Sequence, residues 1–148
     1  MFTRRFPVAV LTGAIVLWAL LYLFFEVAFG SFFVANAGSA TGVPREAKVW
    51  WALLLSDTSL ALLVALAVSW ARAASILQGA KIGAIVGLLA WLGFDAAQYG
   101  LTNLWKFPVV IVDPLLTAIP YGIVGGVIVA VLGERTEPSA RVRRDEAV

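Results

Sequence analysis

A chain of 148 residues that is 61% hydrophobic and only 14% charged carries more apolar surface than a soluble domain of its size can hide, since soluble domains hold about 25% charged residues. The net charge of +2 is small, and the basic residues lie at the edges of apolar blocks instead of forming the stripe that nucleic acid requires. With no Cys, no His and one Met, disulfides, zinc sites, iron–sulfur clusters and His- or Cys-ligated haem are excluded, and no cofactor is expected.

The first apolar block is free of charge from Phe6 to Phe25 and runs on past Glu26. About 20 apolar residues cross a ~30 Å hydrocarbon core as a helix, so a span is predicted over about 7–30. Arg4 and Arg5 precede it and Val34-Ala35-Asn36-Ala37 resembles a signal-peptidase site, but the apolar stretch exceeds the 7–15 residues of a signal h-region. It reads as a retained span. The link from Ser31 to Lys48, with Gly38, Ser39, Thr41, Gly42 and Pro44, reads as a loop. Three further spans are predicted over 49–71, 80–104 and 107–133, broken only by Asp57, Asp95 and Asp113 respectively after their first charged edges. The fourth carries Asp113-Pro114, a helix-start signal. A start there would leave 107–112 as unpaired apolar backbone, so the longer helix is preferred. Residues 134–148 form a charged, Pro-containing tail predicted to be disordered.

The expected fold is therefore all-α, an integral membrane four-helix bundle. Arg4, Arg5, Arg72, Lys81, Arg135, Arg141, Arg143 and Arg144 fall on one side of it, against Arg45, Lys48 and Lys106 on the other. Basic loops stay in the cytoplasm, so both termini are expected there. Trp50, Trp51, Trp70 and Trp105 fall at span ends, where indole rings prefer the headgroup layer.

Lipid tails are as apolar as Leu, so helices in a bilayer associate through close backbone approach and polar contacts. Gly79, Gly83 and Gly87, and Ala118, Gly122 and Gly126, recur every four residues and make two smooth stripes. They suit packing inside one chain, a homo-oligomer seam or a partner membrane subunit.

Each span also holds one carboxylate: Glu26, Asp57, Asp95 or Asp113. At ~1.5 Å per residue all four lie towards the side carrying Lys48 and Lys106. A charge at the bilayer centre costs about 2.5–3.5 kcal/mol even on lenient scales, so such residues face the bundle interior and often mark function. Acids that converge without a cation must hold protons or share a cation. Asp95, Gln98, Tyr99 and Thr102 follow at helical spacing, with Asn103 beside them, and form the candidate ligand-binding set with Asp57, Asp113 and Glu26. The alternative is that these acids only fix packing.

At Tyr99-Gly-Leu-Thr-Asn-Leu104, then Pro108, Asp113 and Gly122, the chain resembles a group of small bacterial four-helix membrane proteins of unknown function. They carry a Tyr-x-Leu-Thr-Asn-Leu stretch closing helix three and an Asp entering helix four. The resemblance covers residues 83–126; Gly100 and Pro114 depart from its pattern. It implies a four-span protein of the bacterial inner membrane and brings no activity.

Three functions remain open. The first is a site in the outer half of the bundle that binds or passes a cation, a proton or a small polar solute. The second is a structural or accessory subunit working through its small-residue stripes. The third is an intramembrane enzyme using an Asp as acid or base on a lipid, although no nucleophile elbow, metal motif or phosphate-cradling loop is present.

Overall fold

The computed structural model describes residues 4–43 and 45–133. The first span opens with α1 (Phe6–Leu21), which widens without a break into a π-helical segment (Tyr22–Ala28). The short α2 (Gly30–Ala35) follows, then α3 (Trp50–Trp70), α4 (Ile76–Leu101) and α5 (Phe107–Leu132). Four stretches, Phe6–Ala28, Trp50–Trp70, Ile76–Leu101 and Phe107–Leu132, are long and apolar enough to cross a membrane. They pack as a four-helix bundle. The charged tail lies outside the described residues.

Local chemistry sets the helix ends. Pro stands in the first turn of α1 and of α5, where its missing N–H leaves no helical bond unmade. Arg72, at φ +53°, turns the chain out of α3. The Ser75 side chain accepts the Gln78 N–H and caps α4, an N-terminal signal that hydropathy alone does not register. The third span thus starts at Ile76, ahead of the expected residue 80, and stops at Leu101, before the expected 104. α5 runs unbroken from Phe107 through Pro114 and Pro120. Those prolines leave the carbonyls four residues before them without a helical N–H.

α5 is the axis of the bundle. It packs along α4 for most of its length and also touches α1 and α3, which pack on each other. Ala9 and Leu17 of α1, Val64, Ala65 and Val68 of α3, and Val124, Ile128 and Val129 of α5 form the core. Between α4 and α5 the backbones nearly touch. A Cβ on Gly79 or Gly83 would overlap the carbonyls of Gly125 or Tyr121, and one on Gly87 would overlap the Tyr121 side chain. Gly122 and Gly126 face Ala80, Ala84 and Ile76, while Ala118 is half-buried. Gly125, absent from the four-residue series, sits at the closest approach.

At the end of the bundle holding Lys48 and Lys106, two links are clasped together. Gly38 N–H donates to Leu104 O at 2.8 Å, Ala40 N–H to Asn103 O at 3.2 Å and Lys106 N–H to Asn36 O at 2.9 Å, around an antiparallel bridge between Ala37 and Trp105. Lys106 Nζ donates to Ala35 O at 2.9 Å. The clasp fixes the link after α2 over the α4–α5 turn.

Candidate ligand site

The tight α4–α5 pairing decides which acids meet. Asp95 points from α4 into the bundle and is 2% exposed; Asp113 of α5 is also buried. Their carboxyls lie close enough to act on each other. Thr117, one turn along α5 and fully buried, donates its hydroxyl to Asp113 Oδ1 at 2.9 Å. Asp95 Oδ2 has no hydrogen-bond partner among the described residues. Buried polar atoms nearly always find one, and two facing carboxylates repel unless something positive lies between them.

Deeper along α5, Tyr121 is fully buried, and its hydroxyl accepts the Trp91 indole N–H at 3.2 Å. Asp57 of α3 is half-buried and close enough to Tyr121 to act on it electrostatically, as Asp113 does. Beyond Tyr121, towards Arg5 and Lys81, the core cluster is apolar. Among the described residues the buried polar side chains, Asp95, Asp113 and Thr117, all lie on one side of Tyr121.

A half-open cleft of about 330 Å³ leads to this cluster. One wall is the first span, with Trp18, Tyr22, Phe25 and Glu26; the other is α3, with Trp50, Leu53, Ser56, Asp57 and Leu60; Trp91 and Asp113 complete the lining. The π-helical segment supplies Tyr22, Phe25 and Glu26. An extra residue in a helical turn changes which side chains share a face, and such segments recur at functional sites. At the mouth, Lys48 Nζ lies 2.6 Å from Glu26 Oε1, both half-exposed.

The expected set thus divides. Asp95 and Asp113 meet, while Asp57 and Glu26 line the adjoining cleft. Gln98 is half-buried on α4, and its backbone carbonyl accepts both the N–H and the hydroxyl of Thr102. Thr102 and Asn103 fall past the end of α4, exposed, with the Asn103 carbonyl held in the clasp. Tyr99 is 46% exposed, its ring 5.7 Å from that of Phe107. Because α4 ends at Leu101, the helical spacing does not extend to Thr102 and Asn103, while Gln98 and Tyr99 stay on the helix with Tyr99 turned outward. Trp18, Trp91 and Lys48 were absent from the sequence-derived set. The signal for the two tryptophans was their mid-span position, away from the headgroup layer where indoles collect.

No group of three or more metal-ligating acids occurs among the described residues. No protein family, curated protein or solved structure matches this chain.

Proposed function

We propose that this chain is a multi-pass protein of the bacterial inner membrane, with both termini cytoplasmic. Its Asp95–Asp113 pair binds a single positive charge, a proton or a small monovalent cation, in the outer half of the bundle. The observation that carries this reading is the Asp95 Oδ2 atom, buried without a donor on a side chain that lies close to a second buried carboxyl. The excess of basic residues at the ends assigned to the cytoplasm and the resemblance at residues 83–126 support the location.

Binding is favoured over passage through one chain, because the buried polar side chains all lie on one side of Tyr121. The accessory-subunit reading draws less support: Gly79, Gly83 and Gly87 are covered by α5 and offer no free surface to a partner.

The test uses protein purified in mild detergent. Changing pH or Na+ concentration should shift the melting temperature of the natural chain, and a cation at about a hundredfold excess over its Kd should stabilise by about 2.7 kcal/mol. Asp95→Asn should remain helical by circular dichroism and lose that response. An unchanged response in folded Asp95→Asn would remove the proposal.

A further inference from the structure

We infer that the cleft beside the acid pair binds an organic monocation, an ammonium group carried on a flat apolar body, with Asp57 facing the charge. The inference rests on the reading that this bundle's carboxyls take up positive charge, and it assigns the chemical class that the neighbouring cleft selects.

Three features of the cleft carry it. The first is charge: Glu26, Asp57 and Asp113 contribute three carboxyls to the lining against the one ammonium of Lys48. Lys48 is already held by Glu26 at the mouth and Asp113 belongs to the acid pair, so no side-chain cation of the lining is left for Asp57. A neutral or anionic guest would leave it unmatched.

The second is the character of the walls. Trp18 and Tyr22 stack at 6.4 Å with their planes 23° apart, making a flat π surface on the first span, and Phe25, Trp50 and Trp91 add further rings to the lining. Aromatic faces attract cations through the ring quadrupole, and desolvation strengthens the attraction. A bare alkali ion gains little from such walls, whereas an ammonium on a ring or branched hydrocarbon meets both the faces and the acids. The third is size: about 330 Å³ lies at the lower end of the ~300–1,000 Å³ range of small-molecule pockets. That suits a molecule of one ring and a substituted ammonium.

The probe is benzyltrimethylammonium, with neopentylbenzene, which replaces nitrogen by carbon at the same shape, as its neutral counterpart. Binding to the full chain in detergent is followed by calorimetry. The cation is expected to bind saturably and the neutral compound not. Asp57→Asn, at a half-buried position, should weaken the cation roughly tenfold, about 1.4 kcal/mol. Tyr22→Leu, which keeps an apolar group at an exposed site, should weaken it about threefold. Neither substitution should alter the Asp95-dependent response to pH or Na+, which tests the acid pair separately.

Equal binding of the neutral compound, or unchanged affinity in folded Asp57→Asn, would overturn the inference. So would the absence of saturable cation binding. If that absence came with an intact Asp95-dependent response, only the organic guest would be lost. If the response were missing too, the acid-pair reading would fall with it.

Discussion

Thr117 shows how closely the buried acids are tied to their surroundings. Its hydroxyl reaches Asp113 Oδ1 at 2.9 Å, and Thr→Val keeps its shape while removing that donor. Polar contacts between membrane helices average about 0.6 kcal/mol and reach about 1.7 kcal/mol. Thr117→Val is expected to fall in that range in thermal unfolding, and to cost less in an Asp113→Ala background, where the acceptor is gone. Strict additivity of the two substitutions would show that they do not act through one contact. The exposed Glu26–Lys48 pair is different. Half-exposed ion pairs contribute little to stability, so Lys48→Gln should leave the melting temperature nearly unchanged.

The glycines of α4 separate packing positions from open ones at the scale of the helix. Gly83 meets the Tyr121 carbonyl and the Gly125 backbone, whereas a Cβ on Gly93 would touch nothing within 4 Å. Gly83→Ala must push α4 from α5, at a cost of about 1–3 kcal/mol typical of overpacking. Gly93→Ala should be neutral or stabilising by up to about 1 kcal/mol, the helix propensity gained. Equal effects at both positions, measured by thermal unfolding, would contradict the α4–α5 register. That register was also what the sequence did not disclose. Unbroken apolar length and the edge charges located four spans. Four-residue small-residue spacing pointed to Gly79, Gly83 and Gly122, yet missed Gly125. In a soluble helix the polar face reveals which side turns inward. Here lipid and core are equally apolar, so rotation about the axis leaves almost no pattern. Asp95 and Asp113 could be ranked by depth but not paired, and Trp91 could not be placed over Tyr121. Thr102 and Asn103 fall past the end of α4 at Leu101, outside the helix their spacing assumed.

Over the whole molecule the arrangement is asymmetric. A polar cleft, a mouth ion pair and a backbone clasp occupy the end near Lys48, and a closely packed apolar core fills the end near Arg5 and Lys81. Under the proposed orientation, a reporter fused at residue 40 and one fused at residue 148 should report opposite compartments. A shared compartment would overturn the four-span topology. The central claim, that the Asp95 and Asp113 carboxyls hold one positive charge between them, has a direct spectroscopic test. Infrared spectra of protein labelled with ¹³C at aspartate carboxyls distinguish a protonated acid from a carboxylate and register the change when a cation replaces the proton. In buffer free of alkali cations, the account predicts one labelled carboxylic-acid band that disappears in Asp95→Asn/Asp113→Asn. The natural chain and the folded double variant giving the same spectrum in that region, with or without Na+, would contradict it.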